Sequence, residues 1–180
     1  MCKPASMVLT ETEVFWSAKT DSHESIINEF NLREKTGENI NILRVEVFPD
    51  DDDIFSDPKG WKYRVDQDVF PGWHNDKKDE KRTRNALKDW ILARVLVNPN
   101  KVEIRDRRIF QKGGSVEARE NSSVVAWGNS SVEAWGNSTI TKRKYSEATV
   151  TVKDDCVVVI DRRGSVPVVQ VGTEKDKTND

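Results

Sequence analysis

"SSVVAWGNSSVEAWGNSTIT", Ser122–Thr141, states one octad twice: Ser-Val-x-Ala-Trp-Gly-Asn-Ser, followed by a near copy. Two structures can use such a repeat. In an antiparallel meander, Gly128-Asn129 would form a two-residue hairpin turn. Val125 would then face Val132, and Val124 would face Glu133. Residues directly opposite share a face of the sheet, so the apolar set would change faces at every turn. A parallel β-solenoid avoids this conflict. Eight is an even number, so a shift of one octad preserves which side chains point inward.

The inward line expected from this parity is Ser122, Val124, Ala126, then Ser130, Val132, Ala134, then Ser138 and Ile140. Extended, it continues through Ser146, Ala148, Val150, Val152, and then Cys156, Val158 and Ile160. Small and β-branched residues suit a narrow stacked core. Eight residues are too few to close a coil. A coil of two octads stacks Arg119 on Trp135 and Arg143 on Trp127, two cation–π pairs, whereas three octads would set Arg119 on Arg143. Two octads per coil is therefore the favoured reading. "KVEIRD" resembles "SVEARE", so winding is expected to begin near Val102. "CVVVIDRRGSVPVVQV" reads either as a last coil or as a hairpin that caps the open end.

Outward from the octads, the composition divides the chain. Residues 7–98 read as a small α+β domain of β-α-β-β-α order, residues 101–172 as the solenoid, and residues 173–180 as a flexible charged tail. The fold class is thus an α+β N-terminal domain followed by a short parallel β-solenoid. The first part holds four of the six tryptophans, Trp16, Trp61, Trp73 and Trp90, which are expected in its core. Asp21 and Glu24 fit a capping box before the helical pattern of Ile26, Ile27, Phe30 and Leu32. "INILRVEVF" and "WKYRV" alternate as strands. A long helix is expected from about Asp76 to Val97, with Leu87, Trp90, Ile91 and Val95 on its apolar side.

The 180 residues are 33% charged and 36% hydrophobic, with a net charge of −2. No global field draws nucleic acid, and no apolar run approaches the ~20 residues that span a bilayer. The start "MCKPASMVLTETEV" lacks the apolar core of a signal peptide. Cys2 and Cys156 are far apart and fit no zinc spacing, and Cys156 is expected to be a buried thiol. These features lead to the expectation of a soluble, cytoplasmic protein with no metal and no cofactor.

The octads and the stretch "SHESIINEFNL…LRVEVFP…WKYRVDQDVFPGWHND" resemble repeats and modules of uncharacterised bacteriophage, mobile-element and gut-bacterial proteins. The octad match spans Ser115–Thr141 only. The resemblance implies a β-helix and a phage origin, and it transfers no catalytic residue.

His23 and His74 have no nucleophile or metal partner nearby in sequence. "DDDD" at 50–53 lacks the spacing of a cation loop and reads as a solvated turn. Lys77, Lys78, Lys81, Arg82, Arg84 and Lys88 alternate with acids and read as a salt-bridged helix face. The candidate binding residues are the tryptophans Trp127 and Trp135, which parity turns outward, with Arg119 and Arg143 stacked on them. Basic clusters add Arg105, Arg107 and Arg108, and Lys142 and Lys144. No catalytic residue is expected. The function expected is non-enzymatic binding and inhibition of a bacterial protein such as a defence nuclease. A nucleotide or small-ligand binder, and a self-associating assembly protein, are the alternatives.

Overall fold

The structure, a computed structural model, describes residues 3–144, 146–162 and 168–171. The chain divides into two compact units between Ala93 and Arg94.

The first unit is built on an antiparallel sheet. Its strands are β1 (Ser6–Leu9), β2 (Val14–Phe15), β3 (Leu43–Phe48) and β4 (Lys62–Val65), in the order β2-β1-β3-β4. "MVLTETEVF" holds parts of two strands, joined where the Thr10 N–H donates to Glu13 O at 3.0 Å. Helix α1 (His23–Glu29) starts at Ser22, whose hydroxyl accepts from Ser25 N at 3.3 Å. It buries Ile26 and Ile27 against Val8 and Ile42. Helix α2 (Asp76–Arg94) buries Leu87 and Trp90. Trp61 meets Trp90 edge-on with ring centroids 6.4 Å apart, a favoured aromatic geometry. Trp16 and Trp73 are only half-buried.

The expected helix over-ran by three residues. Val95–Val97 is strand β5, and it pairs with the solenoid. The run Val95-Leu96-Val97 is β-branched at both ends, and pairing with Phe110–Lys112 satisfies its backbone better than another helical turn would.

The second unit is a parallel β-solenoid of about four turns over residues 95–161. It continues through β6 (Val102–Arg105), β7 (Arg108–Lys112), β8 (Ser115–Arg119), β9 (Ser123–Trp127), β10 (Ser131–Ala134), β11 (Thr139–Lys142), β12 (Thr149–Val152), β13 (Val158–Asp161) and β14 (Val168–Val171). Strands alternate between two sheets, ordered β12-β10-β8-β6 and β14-β13-β11-β9-β7-β5. Each octad is one strand plus one corner, and two octads make a coil. Val116 pairs with Val132 and Val124 with Ile140, sixteen residues on in both cases.

The corner chemistry explains the octad letters. Gly128 and Gly136 sit at φ +58° and +61°, and Glu120 takes the same place at φ +57°. The next residues, Asn121, Asn129 and Asn137, are exposed. Ser122, Ser130 and Ser138 are buried, and their hydroxyls donate to the carbonyls of Arg119, Trp127 and Trp135 at 2.6, 2.6 and 2.7 Å. A small residue that satisfies its own hydroxyl is what a tight dry corner admits.

The inward line holds from Ser122 to Val152: Val150 and Val152 stand in register with Val132 and Ala134 and pack against the core. It then departs from the expectation. The final coil pairs Ile140 with Val159, nineteen residues on, where the coil before pairs Val132 with Val150, eighteen on. An odd coil length flips the parity. Val157 and Val159 point inward, and Cys156, Val158 and Ile160 do not. Cys156 is an exposed thiol, contrary to the buried one expected. Strand β14 pairs antiparallel with β13, so the C-terminal segment is a hairpin rather than another coil. The expected tail, 173–180, lies outside the described residues.

Candidate functional site

The two sheets present outer faces of different character, and strand register fixes both. On the four-stranded sheet, Glu103, Glu117 and Glu133 stand directly above one another, with Thr151 next. Arg105 stacks on Arg119 beside them. Three like charges at inter-strand spacing repel, so cations are laced between them. Lys101 Nζ lies 3.0 Å from Glu117, Arg119 Nη2 lies 3.2 Å from Glu117, and Arg105 Nε lies 2.8 Å from Glu103. Arg119 Nε is 2.8 Å from Glu103, a charge contact that lacks hydrogen-bond alignment. The hydrogen bond from Lys101 holds the Glu117 carboxyl below its ordinary value, and the same bond raises Lys101. The Arg119 guanidinium lies 4.2 Å from the Trp135 ring centroid. This face is a self-neutralised polar lattice.

On the six-stranded sheet, one outward column runs Val95, Phe110, Val125, Thr141, Ile160, Val169. A second ends in Val158 and Val171. Phe110 is covered by the guanidinium groups of Arg94 and Arg108, at 5.4 and 5.6 Å from its centroid. Trp127 lies 6.1 Å from Phe110, and Arg143 stacks on Trp127 at 5.3 Å. Towards β14 the column opens to solvent, where Val169 is 60% and Val171 67% exposed. This face is an apolar stripe margined by arginines.

The two expected cation–π stacks are therefore present. Trp127 and Trp135 do point outward, but each is half-buried beneath its arginine rather than free on the surface. The basic residues do not gather at one point. Arg105 and Arg119 belong to the four-stranded sheet, while Arg108 and Arg143 flank the apolar stripe of the other. Lys142 sits in register with Ala126 and Asp161, and Arg107 and Lys144 are exposed in corners. Sequence reasoning missed the stripe. Its signal was the unbroken "CVVVI" (Cys156–Ile160): a run apolar at every position is apolar on both faces of a strand.

Elsewhere, the histidines are tied into the frame of the first unit. His23 Nε2 lies 3.1 Å from Val45 O. His74 bridges Asp79 and Asp76 at 3.0 Å each. In the acidic run, Asp50 pairs with Lys62 and Asp52 with Lys3. Among the described residues, no group of three or more His, Cys, Asp or Glu is placed to hold a metal ion, and no helix is long and apolar enough to cross a membrane. Comparison with family models, curated proteins and solved structures finds no match.

Proposed function

We propose that this chain is a protein-binding module that works through the outer face of its six-stranded sheet. The observation that carries the reading is the column Val125–Thr141–Ile160–Val169, with Val158 and Val171 beside it, open at one end and margined by Arg108 and Arg143. An apolar centre with an arginine rim is the composition of a protein interface. The cations select a partner whose own surface is acidic around an apolar patch. The likeness of the octads to phage and mobile-element repeats supports a more specific reading: the partner is a bacterial protein such as a defence nuclease, and binding inhibits it.

The test is phage plating on bacteria that carry nuclease-based defence systems, with and without the protein, alongside binding to the purified nuclease. We expect restored plating against at least one system and a stable complex. Val169→Asp with Val171→Asp removes both effects, because two buried carboxylates would be left unpaired in the interface. Restored plating that survives the double variant, or no complex with any nuclease of such systems, overturns the proposal.

A further inference from the structure

Besides the stripe, the first unit holds a cleft of about 400 Å³, and the residues around it are sorted by chemistry. Its floor is Leu87 and Ile91 of α2 and Pro58 of the 3-10 turn Pro58–Gly60. Arg84, Leu87, Lys88 and Ile91 follow one another at steps of three, one and three, so they share one side of the helix. Leu87 is 3% exposed, and Pro58 and Ile91 are half-buried. The rim carries Lys59, Arg84 and Lys88 against the single carboxylate of Asp57.

The rim charges are not equivalent. Asp57 caps the 3-10 turn, accepting from Lys59 N at 3.0 Å. Arg84 donates to Trp61 O at 3.0 Å and to Glu80 at 2.8 Å, so it is a fixed part of the wall. Lys59 and Lys88 are exposed, and among the described residues neither ammonium makes a hydrogen bond or ion pair. The cleft therefore joins an apolar floor to two uncommitted ammonium groups and one anchored guanidinium.

We infer that this cleft is a binding site for a small organic anion: an aromatic or alkyl body on Leu87, Ile91 and Pro58, with a carboxylate, sulfonate or phosphate held by Lys59 and Lys88. The volume falls within the range of about 300–1,000 Å³ typical of small-molecule sites, which are mostly apolar with few polar groups. The charge balance selects the sign of the ligand. Arg84 is already balanced by Glu80, so a cation would meet two uncommitted ammonium groups against the one carboxylate of Asp57, and a neutral body would leave both lysines unused.

The probe is 8-anilinonaphthalene-1-sulfonate, an aromatic ring system bearing one sulfonate, titrated by fluorescence into the full chain. The neutral N-phenyl-1-naphthylamine serves as its uncharged counterpart. We expect saturable binding of the sulfonate at one site, weakened by salt and displaced by decanoate, and about tenfold weaker binding of the neutral analogue. Lys59→Glu with Lys88→Glu lowers the affinity for the sulfonate by about tenfold or more and leaves the melting temperature unchanged, since both side chains are exposed. Ile91→Arg fills the floor and abolishes binding. Val169→Asp with Val171→Asp leaves the titration untouched, which separates this site from the protein-binding face. Equal affinity for the neutral analogue, undiminished binding in the double-lysine variant, or loss of binding in the valine variants would each overturn the inference.

Discussion

Ile140→Ala tests the stacked core most directly. Ile140 is fully buried, with Val124 in register on one side and Val159 on the other. Alanine removes three carbons. At about 0.8 kcal/mol per buried methylene, the lost transfer energy is about 2.4 kcal/mol. The cavity adds to this, because strands hydrogen-bonded on both sides cannot collapse into it, and the total becomes about 3–4 kcal/mol. Thr141, the next residue, points outward and is half-buried. Its replacement by alanine is expected to cost under about 1 kcal/mol. The two units can unfold separately, so the assay is hydrogen exchange in urea, read on peptides covering residues 122–141. With a denaturant slope of about 1–1.5 kcal/mol/M for a unit of this size, Ile140→Ala lowers the midpoint by about 2–4 M and Thr141→Ala by under about 1 M. Equal shifts for the two variants, or a shift under about 0.5 M for Ile140→Ala, would refute the stacked interior.

Three further outcomes follow from the geometry. In a double-mutant cycle, Arg119→Gln and Trp135→Leu couple by about 0.5–1 kcal/mol, and zero coupling would deny the stack a stabilising role. At Gly114, with φ +66°, an added Cβ would lie 2.3 Å from Pro99 O, whereas at Gly128, with φ +58°, it would meet nothing within 4 Å. Gly128→Ala should cost about 1–2 kcal/mol for the left-handed conformation, and Gly114→Ala clearly more; equal melting temperatures would contradict this. The hydrogen bond from Arg44 holds the Glu34 carboxyl below its ordinary value of 4.5. Its contribution to stability is therefore complete above that value and lost as pH falls through the lower folded value. Glu34→Gln should flatten the acid limb of the stability curve below pH 4.5, and a wild-type slope retained in the variant would exclude the pair as its source.

The solenoid was legible because parity is a strict rule. A repeat of eight keeps Val124, Val132 and Ile140 on one side, and a meander with two-residue Gly-Asn turns does not. The coil length was legible because only sixteen residues set Arg119 on Trp135 and Arg143 on Trp127. Parity carries through strands but not through corners. "KDD" at 153–155 does not reveal how many residues its turn absorbs, and the phase of Cys156–Ile160 was therefore misjudged. That one-residue slip hid the apolar stripe, because Val158 and Ile160 had been assigned to the interior. The boundary near Val95 failed for another reason: its apolar spacing fits a helix, and only pairing with Phe110–Lys112 decides for a strand. The cleft could not be read at all. It joins Pro58 and Lys59 to a helix about thirty residues later, and helix periodicity says only that Leu87 and Ile91 face the same way.

Because each octad is one strand and its corner, consecutive octads belong to opposite sheets. Duplicating one octad within Ser122–Thr141 would transfer every later strand to the other sheet. The Ile160 column would then continue the glutamate ladder instead of the Val125 stripe, and both outer faces would be scrambled. Duplicating two octads would add one complete coil and lengthen both faces without changing their chemistry. Gene rearrangements that preserve function in this fold are therefore expected to come in steps of sixteen residues, while single added residues survive at corners, as the nineteen-residue last coil already does.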